Sequence, residues 1–188
     1  MEDGTVQFRG VRYATADRWT YPTPAGKWDD VYDATEYGAA CVQLRTFAPE
    51  DEKNPLPFYY KEFRQGLKFK YSEDCFFLDI YAPEETKDAA VIIYIHGGAF
   101  LGGCGNELHM DGTAYARKNV IFVAINYRLG VLGFLADKKL ADESGHSGNY
   151  GLYDQLEAIK WVHDHISDFG GNPDDITLFV FLVGFHRL

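Results

Sequence analysis

No apolar run in this 188-residue chain reaches the roughly 18–20 residues that a membrane-spanning helix needs. Positive charge is scarce: 18 Lys and Arg against 28 Asp and Glu leave a net charge of −10, with no basic cluster. That balance argues against a nucleic-acid surface. Cysteine is scarce too. Cys41, Cys75 and Cys104 have no metal-ligand spacing, and six histidines form no pattern with them, so neither a metal nor an organic cofactor is implied. Met1-Glu2-Asp3-Gly4-Thr5 is polar and acidic, unlike a signal peptide, so the expected location is the cytoplasm, with the cysteines as free thiols. Internal repeats and low-complexity segments are absent.

What is present supports a sizeable core: 46% of the residues are hydrophobic and 16% aromatic. Residues 4–13 alternate apolar and polar around Gly10, as expected of a half-exposed strand with a bend or bulge. Residues 14–60 hold five of the seven prolines, among Trp19, Tyr21, Trp28, Phe47, Phe58, Tyr59 and Tyr60. Such a mixture predicts irregular chain pinned by aromatic anchors. Strands are expected at 76–82, 89–95, 120–127 and 176–183, and a short helix at 111–118. Residues 128–149, punctuated by Gly130, Gly133, Gly145 and Gly148, read as a loop with at most one turn of helix. The clearest helix follows, with Leu152, Leu156, Ile159, Val162 and Ile166 at helical spacing, closed by Gly170-Gly171-Asn172-Pro173. Strands alternating with helical stretches predict an α/β fold with a parallel sheet and ligands at the carboxyl ends of its strands.

One such end stands out. The buried run Ala89–Ile95 breaks into His96-Gly97-Gly98-Ala99-Phe100, with Gly102 and Gly103 just beyond. A strand dissolving into glycines can leave several N–H groups unpaired and aimed at one point, which suits negative charge developing on oxygen. Losing one donor from such an array costs on the order of 10²–10³ in rate. A glycine-rich turn after any parallel strand is the plain alternative. The histidines offer no competing centre, since His163 and His165 do not share a helix face. His96 reads as fixing the loop rather than as a catalytic base, and His109, His146 and His186 have no patterned partners.

Five segments, in order, resemble the N-terminal part of the type-B carboxylesterases, the cholinesterase-like branch of the α/β-hydrolases. They are Phe8–Ala14; Ser72-Glu73-Asp74-Cys75 with Phe76–Ile80; His96–Phe100; Asn126-Tyr127-Arg128-Leu129-Gly130 with Gly133-Phe134-Leu135; and Gly148–Gln155 with Trp161-Val162 and Phe169–Pro173. The resemblance implies the start of an α/β-hydrolase fold, with a mostly parallel central sheet and flanking helices. It also implies hydrolysis of small-molecule carboxylic esters by a Ser, Glu/Asp and His triad. An HGGG-type loop is the oxyanion element of lipases and esterases. Here that maps to the N–H groups of Gly98 and Ala99, in a loop begun by His96 and Gly97. In secreted relatives a cysteine like Cys75 pairs with an upstream one, here Cys41; thiols are expected in a cytosolic chain. Glu73, Asp74, Asn126, Arg128, Asp154 and Gln155 are expected to be structural, the first two in ion pairs.

The resemblance fails at one place. After Ile176-Thr177-Leu178-Phe179 the family continues with Gly-Xaa-Ser-Xaa-Gly, the elbow that carries the nucleophile. This sequence reads Val180-Phe181-Leu182-Val183-Gly184, and Ser144 and Ser147 sit in no such pattern. The expected organisation is one partial domain over 1–188. Residues 1–83 form its N-terminal strands and aromatic segment, 84–179 the start of the central sheet, and 180–188 an atypical tail. The codons GTN-TTY-CTN-GTN-GGN, preceded by one G, can regroup to spell Gly-Xaa-Ser-Xaa-Gly, so one lost base is one explanation, beside a fragment of a longer protein or a genuinely short one. The chain alone is expected to show no esterase turnover beyond the small residue that an oxyanion loop could give. The alternative is a cholinesterase-like binding module that has lost its triad; oligomeric state and ester specificity stay open.

Overall fold

The computed structural model describes residues 4–44 and 57–181. Phe47, Pro49, Pro55, His186 and most of the expected tail lie outside them. In chain order the strands are β1 (Thr5–Arg12), β2 (Ala14–Thr15), β3 (Thr23–Pro24), β4 (Ala40–Cys41), β5 (Tyr71–Ser72), β6 (Phe77–Pro83), β7 (Ala89–Ile95), β8 (Val120–Ile125) and β9 (Gly171–Val180). The helices are α1 (Pro57–Phe63), α2 (Thr113–Ala116), α3 (Gly130–Phe134), α4 (Lys138–Ser144) and α5 (Tyr150–His165), with 3₁₀ turns at Leu108–Met110 and Ile166–Phe169.

Five strands form the central sheet in the order β1-β6-β8-β7-β9. β7 pairs in parallel with both β8 and β9, β6 runs antiparallel to β1 and β8, and four of the five strands therefore share a direction. Apolar runs without polar alternation predict strands covered on both faces, and the period of two along each strand sorts them. Val91, Ile93, Ile95, Ile121, Val123, Ile125, Leu78 and Ile80 share one core with Ala158, Trp161 and Val162 of α5. Tyr81, Tyr94, Phe122 and Ala124 face the other way, onto Met110 and Ala116. Helices on both faces of a mostly parallel sheet make this an α/β fold.

The bend expected in the first strand is a register shift between Phe8 and Val11, with Gly10 at φ +61. Three expectations need correction. Residues 128–149 contain two helices, not one turn at most. Asp137 caps the second by accepting from Lys139 N at 2.8 Å, and Gly145 closes it at φ +84. α5 docks as expected through Ile159 and Val162, with Ile166 at its C-cap, but its first turns present another face: Leu152 and Leu156 are 43% and 45% exposed, whereas Gly151, Asp154, Ala158 and Trp161 are buried. The cause is close approach. A Cβ at Gly151 would stand 2.4 Å from the Arg128 carbonyl oxygen, so this helix end needs its smallest residue where it meets the sheet. Finally, Cys41 and Cys75 form a disulfide rather than remaining thiols. The short β4–β5 pairing and the turn into β6 bring their Cα atoms to 5.0 Å inside the core, within bridging distance. Cys104 is free and buried.

Candidate functional site

The site is built where β7 and β8 end. Tyr13 and Tyr127 are fully buried phenols whose hydroxyls must find acceptors, and both take main-chain carbonyls at these strand ends. Tyr13 donates to Asn126 O at 2.7 Å, and Tyr127 donates to His96 O at 2.8 Å. Asn126, next in the chain after β8, accepts from Gly105 N at 2.7 Å and donates to Ala39 O. One buried amide thereby ties the glycine segment to the N-terminal chain.

The loop itself turns on residues in left-handed backbone. Gly98 and Gly103 have φ of +118 and +115, and Ala99 and Phe100 hold +54 and +60 although they carry side chains. Non-glycine residues there cost of order 1–3 kcal/mol each and persist only where surroundings fix them. A Cβ on Gly98 would fall 1.9 Å from Gly102 O, so the loop folds back on itself too closely for any side chain. Gly130 N donates to Phe100 O at 2.6 Å, and the Phe100 ring packs on Phe134. No acceptor among the described residues takes the N–H of Gly98 or Ala99. Gly98 is half-buried and Ala99 exposed.

His96 is buried, its ring stacked on Tyr127 with centroids 4.5 Å apart. Nδ1 lies 2.9 Å from Gly97 O, an atom that only accepts, so Nδ1 carries the proton. Burial, with Arg64 and His109 nearby, lowers its pKa to about 4, and the ring stays neutral at pH 7. Such a ring holds a loop. β9 runs alongside: Phe181 N donates to Ile95 O at 3.2 Å, and the Phe181 carbonyl lies where a Cβ of Gly97 would be. The end of β9 therefore adjoins the glycine loop.

The other singled-out residues form a frame around this centre. Arg128 and Asp154 pair through two parallel bonds of 2.8 and 2.7 Å, and the same carboxylate accepts from Arg128 N at 3.0 Å. Asp74 binds Arg12 through both oxygens, and Glu73 pairs with Arg18, as structural ion pairs. Gln155 departs from its expected part, since its buried Nε2 has no acceptor among the described residues. Ser147 bonds with Asp137, far in function from any base, and His163 pairs with Asp164. Three residues escaped sequence reading: Gln43, Arg64 and Glu107, which meet behind the loop. Arg64 and Glu107 sit in ordinary polar runs, and nothing in their spacing distinguishes them from solvated charges. Asp79 was missed as well, although a carboxylate inside Phe76–Ala82 was a visible signal.

A model of the carboxylesterase family matches residues 1–181. This chain belongs to the carboxylesterase family. It is 40% identical over 184 residues to the para-nitrobenzyl esterase of Bacillus subtilis (strain 168), covering 95% of this chain and 35% of that protein. It is 37% identical over 183 residues to the cholinesterase of Mus musculus, covering 94% and 29%. Among solved structures it superposes on an esterase from the anaerobe Clostridium hathewayi, described as hydrolysing aliphatic aromatic polyesters. There the TM-score is 0.81 at 32% identity, over 94% of this chain and 34% of that one. This member of the family thus spans about a third of the length of the curated relatives it matches. Its sheet is the corresponding part of an α/β-hydrolase fold.

Proposed function

We propose that this chain carries the oxyanion-binding part of a serine carboxylic-ester hydrolase and does not turn over esters by itself. The observation that supports the reading is the pair of adjacent, acceptor-free N–H groups of Gly98 and Ala99 at the carboxyl end of β7. In ester hydrolysis the carbonyl oxygen gains negative charge as the nucleophile adds, and fixed donors aimed at that oxygen stabilise the addition step more than the ground state. The nucleophile and its base are a different matter. Gly-Xaa-Ser-Xaa-Gly does not occur among the 188 residues. His96 is buried and its pKa is lowered to about 4, so its unprotonated Nε2 is a weak base shut away from solvent.

In the sequence, an elbow serine of the family's pattern would fall at position 182. The sequence has Leu182 there, and a one-base shift of the reading frame would produce that change. Substrate choice lies elsewhere in the family's fold. Relatives matching this same third bear names as different as para-nitrobenzyl esterase, fumonisin B1 esterase and cholinesterase. The Cys41–Cys75 bond favours an oxidising compartment over the cytoplasm. The test is hydrolysis of p-nitrophenyl acetate by the chain as it stands, beside a gene in which one base is restored before codon 180. No turnover above background for the first, and turnover with a fluorophosphonate-reactive serine for the second, is the expected result. Fluorophosphonate-sensitive turnover by the unaltered chain overturns the reading.

A further inference from the structure

Buried Tyr127, through His96 O, and Gly130 N, through Phe100 O, hold two points of the glycine loop. Its inner side meets a side chain. Gln43, two residues beyond Cys41, turns its amide onto Gly103: Nε2 donates to Gly103 O at 3.0 Å, and Gly103 N donates to Oε1 at 3.0 Å. The side chain thus pairs with both main-chain groups of one residue, as a neighbouring strand would. The amide is itself fixed from behind. Nε2 also donates to Cys41 O at 3.0 Å, and Oε1 accepts from Arg64 Nη2 at 3.3 Å. Arg64, buried, donates through Nε to Glu107 at 2.7 Å and through Nη1 to Tyr71 at 3.2 Å. The orientation is unambiguous. Nε2 faces two carbonyls while Oε1 faces an N–H and a guanidinium, so rotating the amide by half a turn would oppose like with like at all four contacts.

Gly103 cannot drift without the rest of the loop following. A Cβ placed on it would lie 2.4 Å from His96 Nδ1 and 2.6 Å from Gly97 O, so its backbone is in direct contact with the residues that start the loop. Gly102, its neighbour, backs Gly98 at similarly close range. From these contacts we infer that Gln43 is a positioning residue: by clamping Gly103 through both halves of its amide, it holds Gly98 and Ala99 in the left-handed backbone that presents their N–H groups. The inference rests on the oxyanion reading above for its functional meaning, while its test needs no ester hydrolysis.

That test is hydrogen–deuterium exchange on the full 188-residue chain, read on peptides spanning 96–105 and, as the reference, 120–125. Gln43→Met keeps length and removes both bonds. It is expected to raise exchange in 96–105 about tenfold, the scale of one lost hydrogen-bonded contact, with β8 changed less than twofold. Gln43→Glu separates the two halves. Its carboxylate cannot donate to Gly103 O, whereas the protonated acid can, so protection in 96–105 should return as pH falls, while Gln43→Met shows no such return. Equal loosening of both peptides, no change in 96–105, or identical pH behaviour of the two variants would each overturn the inference. Should neither variant fold, NMR of the unaltered chain decides. A nuclear Overhauser contact between the Gln43 side-chain amide and Gly103, with slowed amide exchange, is expected, and its absence overturns the assignment. Failure of the esterase reading would show in hydrolysis and leave these exchange results untouched.

Discussion

Asp79 is a carboxyl group placed in a β-sheet core, and the pH dependence of stability should reveal it. The residue sits on β6, 4% exposed, where Oδ1 accepts from Gly10 N at 2.8 Å and so anchors the β1 bulge. Burial raises its pKa from the ordinary 3.8 to about 7, opposed by the Gly10 N–H and by the Arg9 guanidinium. Tyr81 and the buried Cys104 thiol stand near it and carry no charge at neutral pH. Moving the pKa from 3.8 to about 7 makes ionisation roughly 4 kcal/mol costlier in the folded chain than in the unfolded one. The folded chain holds this proton more tightly than the unfolded one. Its stabilising contribution is therefore complete below about pH 4 and is lost as pH rises toward about 7. Buried His96 and His109, both lowered to about 4 by burial, act in the opposite sense. They are neutral when folded and take up protons on unfolding, so stability from them falls as pH drops below about 6.5. The unaltered chain should accordingly show a shallow profile in which these slopes partly cancel.

Asp79→Asn separates them. The amide oxygen can still accept from Gly10, no charge is buried, and the histidines are untouched. Urea denaturation of both chains from pH 4.5 to 8 should give curves that diverge as pH rises. The variant should gain roughly 3 kcal/mol relative to the parent across that range. A constant offset from burying the amide NH₂ reduces the absolute gain by about 1–3 kcal/mol. Only the divergence matters. Parallel curves would refute the account, because they would mean that Asp79 titrates alike in the folded and unfolded chains.

Two further outcomes follow from buried pairs. Arg128→Met leaves the Asp154 carboxylate buried without its cation, and should cost about 3–5 kcal/mol in urea denaturation; an unmoved midpoint would show that this pair is not a determinant of stability. Thiol titration of the denatured, unreduced chain should find one reactive thiol, Cys104, and three after reduction. Cys75→Ser opens a loop closed across a sequence separation of 34 and should cost about 3–4 kcal/mol under oxidising conditions, with no cost in reductant. Three thiols before reduction would contradict the disulfide.

The sheet was legible because its strands are continuous apolar runs bounded by glycine and charge, and because Gly10 marked its own bulge. The glycine loop was legible because few other roles call for His96-Gly97-Gly98-Ala99 immediately after such a strand. What remained hidden had tertiary causes. Leu152 and Leu156 satisfy the helical period but face outward, since contact with Arg128 selects Gly151 and Asp154 for the inner face. Helical spacing ranks apolar residues and cannot show that a small residue and a salt bridge make the closer dock. The helix Lys138–Ser144 had a capping aspartate and a closing glycine in the sequence, but lies among enough glycines to read as a loop. Gln43, Arg64 and Glu107 come from three separated segments, and their meeting behind Gly103 has no local signature. The thiol expectation followed from compartment alone, and geometry overrode it.

The edge of the sheet makes one more claim about behaviour. Among the described residues nothing pairs with the outer side of β9, and Leu178, Phe179, Val180 and Phe181 are 44–49% exposed along it. On α5, Leu152, Tyr153 and Leu156 are exposed too, while Tyr150 OH and Gln155 Nε2 are buried there without partners among the described residues. Unpaired strand edges with apolar side chains template association with any available chain. Covering four half-exposed side chains gains roughly 1 kcal/mol each, enough to change an association constant about a thousandfold. Sedimentation velocity at micromolar concentrations should therefore show a mass that rises with concentration, and Leu178→Lys with Phe179→Lys should lower it. Both positions are about half exposed and keep their main-chain pairing with β7, although Phe179→Lys gives up a ring contact with Tyr94. A concentration-independent monomer with a cooperative thermal transition would show that this surface is tolerated in water, and would remove the physical reason for expecting β9 to be covered.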